Sequence, residues 1–163
     1  MEMKSYQLYS DRVDLIMTND NILRLWLNEW SGKIVFRYKI NAISDVEHPG
    51  IVLGYDQAGV WYYMHNHFEH GRPVIEAQVG FSKEKQLYVT NRQSPYQQRL
   101  VLKRGLDEVL KTRPYNWLNY NCQIFVNQVC YNENKSEAVE NWAAGLALWI
   151  LGFLGIKAFI NSK

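Results

Sequence analysis

Cysteine is scarce in this chain, with only Cys122 and Cys130 among 163 residues. A disulfide framework of the kind that staples small secreted domains is therefore excluded. On one helix the eight-residue spacing would part the two residues by roughly 12 Å, beyond the reach of about 7 Å that a bridge allows. Free thiols suit a reducing compartment, and the expected location is cytoplasmic. Charge of one sign is also missing. Eighteen Lys and Arg against sixteen Asp and Glu leave a net +2, too weak a field to hold nucleic acid through its phosphates, so no nucleic-acid partner is expected. Four Pro and ten Gly exclude collagenous and low-complexity chains. From Met1 to Asp14 the acidic residues Glu2, Asp11 and Asp14 leave no apolar run of signal-peptide length.

What remains is apolar and rich in rings. Hydrophobic residues make up 47% of the chain and aromatics 14%, with six Trp and eleven Tyr, enough to bury the core of one globular domain. No internal repeat or linker interrupts it. Asp20 to Trp30 carries Ile22, Leu23, Trp26, Leu27 and Trp30 at helical spacing. Lys33 to Ile40, Gly50 to Tyr55, Val60 to His67 and Gln86 to Thr90 are short β-branched and aromatic runs bounded by turns, and read as strands. Gln98 to Lys111 is an amphipathic helix ending before Pro114, and Cys122 to Cys130 shows a second apolar helical face. The expected fold class is α+β, with a domain at 1–141 whose core spans about 34–140, and a distinct tail at 142–163.

That tail is uncharged from Trp142 to Ile156, and after Lys157 stays apolar through Ile160. A bilayer core needs about 20 residues, with a lower limit near 17. Two readings stay open: a segment on or in a membrane surface, or a helix packed on the domain or on a second subunit. The oligomeric state is not legible.

All four histidines, His48, His65, His67 and His70, fall within 23 residues. Residues 48 to 67 read as a hairpin turning through Asp56-Gln57-Ala58-Gly59. A turn centred on Gln57 sets His48 opposite Asn66, give or take one residue, so that His65 or His67 faces His48. Further on, Asn121 can cap a helix whose first residue is Cys122. There the positive end of the helix dipole stabilises a thiolate, and unsatisfied backbone N–H groups can receive an oxyanion.

These residues resemble a known family. His48-Pro-Gly-Ile-Val-Leu-Gly54 is similar to the histidine box, and Tyr115-Asn through Asn121-Cys122-Gln-Ile-Phe-Val126 to the Asn-Cys box, of the lecithin:retinol acyltransferase-like proteins. These are circularly permuted papain-like cysteine hydrolases and acyltransferases, whose histidine strands precede the cysteine helix. The order here is the same, with His48 lying 74 residues before Cys122. The resemblance implies an antiparallel sheet packed against the cysteine helix. It also implies a thiol acyltransferase or hydrolase acting on an ester or amide, phospholipid among the acyl substrates. Cys122 would be the nucleophile, His48 its base and His65 the residue that orients the base, with His67 the alternative in that third role. No metal or organic cofactor is implied. The box continues with Gln123-Ile124 where the family usually has Glu-His or Gln-His.

Blander readings stand beside this one. Cys130 reads as core, and His70, in Glu69-His70-Gly71, as surface. The cluster could instead be a metal-binding domain, with His65 and His67 joined by His48 or His70 as three nitrogen ligands. The same fold could also serve as a non-enzymatic membrane-associated or protein-binding module.

Overall fold

Alternation of β-branched and aromatic residues dominates the first half of the chain, and in the computed structural model it builds one sheet. The structure describes residues 5–9, 15–18, 28–41, 44–83, 85–90, 93–137, 139–141 and 143–145. Among the described residues seven strands are formed: β1 (Ser5–Tyr9), β2 (Leu15–Thr18), β3 (Ile34–Asn41), β4 (Ser44–Tyr55), β5 (Trp61–His67), β6 (Arg72–Ala77) and β7 (Leu87–Val89). Their order across the sheet is β2-β1-β6-β5-β4-β3-β7. The five from β6 to β7 are antiparallel throughout, and β1 joins β6 in parallel. Among the described residues the named helices are α1 (Gln78–Ser82), α2 (Gln98–Leu110) and α3 (Cys122–Tyr131), with further helical residues at 139–141 and 143–145. The class is mixed α+β.

Side chains alternate along each strand, so the sheet has two unlike faces. On one, Ile34, Ile51, Leu53, Tyr62, Met64, Ile75 and Ala77 meet the apolar stripes of α2 and α3, where Leu102, Leu106, Phe125, Val129 and Cys130 are buried. On the other, Val35, Val52 and Tyr63 gather round Phe81 of α1, with Tyr63 and Phe81 stacked at 4.6 Å between ring centroids. Gly50 belongs to this second face. A Cβ there would lie 2.8 Å from the Phe81 ring, so only glycine lets α1 seat so closely on β4.

Several expectations are corrected. β4 begins at Ser44, six residues before Gly50, because the sequence before His48 continues the ladder with β3 out to the Asn41↔Ser44 pair. β6 and α1 were not legible, since Pro73 argues against a strand and no turn signal separates Ala77 from the helix. Nor was either strand at residues 5–18 anticipated. The β4–β5 register pairs Ile51 with Met64 and Val52 with Tyr63, and continuing it sets His48 opposite His67, within the one-residue allowance and one of the two partners expected. The expected helix at 20–30 lies outside the described residues except for 28–30, where Glu29 and Trp30 are in a turn. Among the described residues no helix is long and apolar enough to cross a membrane. The segment from Trp142 to Ile160 lies outside them except for helical residues 143–145.

Candidate active site

His48 on β4 and His65 and His67 on β5 have the strand parity of Val52 and Tyr63, which puts all three imidazoles on the Phe81 face. They are buried. The His48 ring lies edge-on to both partners, with centroids 5.1 Å from His65 and 4.9 Å from His67. Hydrogen bonding separates the two candidates for the third role. His48 Nε2 is 2.9 Å from His65 Nδ1, whereas His67 Nε2 lies 3.3 Å from Arg37 Nη2. β6 then brings Glu76 alongside, and its Oε2 is 2.8 Å from His65 Nε2.

This chain fixes tautomers. A carboxylate only accepts, so His65 must donate from Nε2, which leaves Nδ1 of the neutral ring to accept from His48 Nε2–H. The lone pair of neutral His48 is thereby placed on Nδ1. The carboxyl and His65 favour these states. Hydrogen bonding and charge interactions with His65 and His70 hold Glu76 below the usual carboxylate range against its burial. Burial outweighs Glu76 and holds His65 below its ordinary value. Desolvation, followed by the neighbouring His65, takes His67 down to about 3.

Arg37 was not among the expected site residues. It sits buried on β3 opposite His48, and donates from Nη1 to the Phe81 carbonyl at 2.6 Å. Burial lowers its pKa while Glu76, Glu69 and Cys122 act in the opposite sense. His70 is a correction: the surface position expected for it is in fact half-buried, its Nε2 lying 3.3 Å from Glu76 Oε1. The metal set read from sequence changes with it. His67 is engaged by Arg37, and among the described residues the His, Cys and carboxylate donors that converge are those of His65, His70 and Glu76.

Cys122 opens α3 as expected, behind Asn121, whose Oδ1 accepts from the Ile124 N–H at 3.0 Å. Asn121 Nδ2 donates to the Trp117 carbonyl and to Ser136 Oγ, which fixes the cap from both sides. The body of α3 packs on the face away from the imidazoles. Its approach, however, is tied to the end of β5: Asn66 Nδ2 donates to the Tyr120 carbonyl and Tyr115 N–H to the Gly71 carbonyl, both at 2.7 Å. The thiol thus starts the helix at the rim of the sheet. A thiolate there would raise the pKa of Arg37, on the imidazole face, and of Tyr115. Cys130, on the same helix, is in the core.

An apolar groove of about 240 Å³, lined by Val35, Val52, Trp61, Tyr63 and Leu87 among others, lies on the imidazole face. A larger cavity of about 840 Å³, between residues 29–33 and the start of α2, contains none of the histidines. In comparisons with known proteins the chain matches no family model and no curated protein.

Proposed function

We propose that the chain is a cysteine-dependent acyltransferase or hydrolase of the circularly permuted papain-like kind. The observation that carries this reading is the His48–His65–Glu76 chain of hydrogen bonds, suited to a base with its orienting residue and a carboxylate, in a chain that also starts a capped helix with a thiol. His48 Nδ1 takes the proton from Cys122 Sγ, and the thiolate attacks the acyl carbonyl. The tetrahedral intermediate collapses to a thioester, and the departing alcohol or amine receives the proton from His48. Water or an acceptor hydroxyl or amine then displaces the thiol and releases the acyl group. Backbone N–H groups of the first turn of α3 are suited to the oxyanion. The apolar groove on the same face as the relay offers room for an acyl chain.

In this reading the thiol and the imidazole meet in the reacting arrangement. The test is capture of an acyl adduct by mass spectrometry. Cys122→Ala abolishes the adduct and Cys130→Ala retains it, while His48→Ala slows its formation by about 10²- to 10⁴-fold and moves the thiol pKa toward about 8.5. Adducts on Cys122→Ala equal to those on Cys130→Ala would overturn the nucleophile. A chain that forms no adduct with any ester or amide would be left with the non-enzymatic reading of the fold.

A further inference from the structure

We propose that His65, His70 and Glu76 form a site for a divalent transition-metal ion with the ligand preferences of zinc, and that its occupation switches off His48 by reversing the tautomers of the relay. The site stands on its own geometry; the consequence for His48 rests on the function proposed above.

The three donor atoms lie within 4.8 Å of one another. Glu76 turns one oxygen to each imidazole, Oε2 to His65 Nε2 at 2.8 Å and Oε1 to His70 Nε2 at 3.3 Å. Zinc bonds of about 2.0 to 2.1 Å in tetrahedral array put neighbouring donors roughly 3.4 Å apart, and two His with one Glu leave a fourth position for water. Closing the set requires movement chiefly of His70, which sits in the turn between β5 and β6. Its side chain is 22% exposed against 1% for His65 and 10% for Glu76, so the ion enters past His70.

The carboxylate is closely seated. A Cβ on Gly80 would lie 2.5 Å from Glu76 Oε1, so the group rests against bare α1 backbone and any larger residue would displace it. Its negative charge is buried among imidazoles and compensated only at a distance by Arg37, whose hydrogen bonds go to the Phe81 carbonyl and His67. A dication supplies compensation that neutral imidazoles cannot.

The switch follows from proton positions. A metal ion on His65 Nε2 takes the lone pair that a proton held there, so the proton of the neutral ring moves to Nδ1. His65 Nδ1–H then donates to His48 Nε2, and the His48 proton moves to Nδ1. No proton is gained or lost between the two rings, but the atom that must accept from the thiol now carries a hydrogen.

Titration of the full chain with Co²⁺ tests the site without any activity readout. One equivalent should bind with d–d bands of a nitrogen and oxygen set and no thiolate charge-transfer band, and His70→Ala should weaken binding by at least about tenfold. Gly80→Ala, which keeps all three ligand residues but displaces the Glu76 carboxylate, should weaken it in the same direction. Absence of stoichiometric binding, a thiolate band, or equal binding by wild type and His70→Ala would overturn the site. In a second arm, saturating Zn²⁺ should slow acylation of Cys122 at least tenfold in wild type and far less in His70→Ala at the same concentration. Metal binding that depends on His70 but leaves acylation unchanged would keep the site and overturn the switch. Acylation indifferent to His48→Ala would overturn the base assignment, whatever the metal does.

Discussion

The two faces of the sheet are made by the same strands and differ by one residue of register. On β5, Tyr62 and Met64 face α2 and α3, and one step along the chain Tyr63, His65 and His67 face α1. The helical face is closed by long apolar side chains in a continuous cluster. The other begins in the same way, at Val35, Val52, Tyr63 and Phe81, but towards the end of β5 it gives way to three imidazoles, Arg37 and Glu76, all buried. Burial of apolar atoms stabilises at roughly 25 cal/mol per Å², whereas buried polar groups must each find a partner merely to avoid a cost. One face therefore holds the fold together, and the other is tolerated because its polar groups satisfy one another.

This difference can be broken at its strongest point. Phe125→Ala, in the centre of the helical face and fully buried, should destabilise the chain by about 3 to 5 kcal/mol, read as a fall in the urea midpoint with little change in slope. Glu76→Gln on the opposite face should cost less stability but impair acylation of Cys122 to a degree approaching that of His48→Ala. A loss of stability as large as that of Phe125→Ala, without a change in acylation, would show the relay to be structural.

The faces should also differ at the acid end of the pH scale, where only one of them holds buried imidazoles, whereas each carries a tyrosine pushed up to about 12, Tyr62 on one and Tyr63 on the other. The folded values of His65 and His67 lie below the ordinary 6.5, with His67 at about 3, so the unfolded chain binds more protons in that interval. Stability is therefore complete above pH 6.5 and lost as pH falls towards 3, and the depressed carboxyl of Glu76 adds a loss in the same direction below 4.5. On the helical face Tyr62 is pushed up from 10 to about 12, first by burial and then by the bond to Asp56. The unfolded chain releases that proton first, so this contribution is complete below pH 10 and lost between 10 and 12. Thermal unfolding of metal-free protein across pH should show His67→Gln flattening the acid limb and Tyr62→Phe the alkaline one. Exchanged effects would reverse the assignment.

Smaller effects sharpen the comparison at its edges. Asn121→Ala removes the cap of α3 and should cost about 1 kcal/mol, while also raising the thiol pKa of Cys122. An unchanged thiol pKa would remove the helix start from the argument. Lys103→Ala, breaking an exposed i,i+4 pair with Asp107 on α2, should cost no more than about 0.5 kcal/mol and leave acylation untouched, which a denaturant titration and an adduct assay would check.

The sequence by itself determined those features that depend on neighbours along the chain. Period-two and period-3.6 spacing located four strands and two helices, near their observed bounds except for the start of β4, Asn121 before an apolar stripe marked the start of α3, and the turn at 56–59 fixed the hairpin to within one residue of its register. These are local matters of dihedral preference, capping and side-chain alternation. It also brought His48, His65 and His67 together, because a hairpin converts sequence distance into spatial proximity. Arg37 and Glu76 left a trace, each a single charge in an apolar run, at Ile34-Val-Phe-Arg37 and Val74-Ile-Glu76-Ala77, but a lone charge does not say what it meets. Only the tertiary structure decided that β6 lies beside β5 and β3 beside β4, bringing a carboxylate and a guanidinium to the same imidazoles, and that α3 packs on the other face with its thiol at the rim. Alternation assigns residues to two faces without saying which face a helix will cover. That choice rests on the summed burial of the whole apolar surface, a property of the assembled sheet and of no single segment.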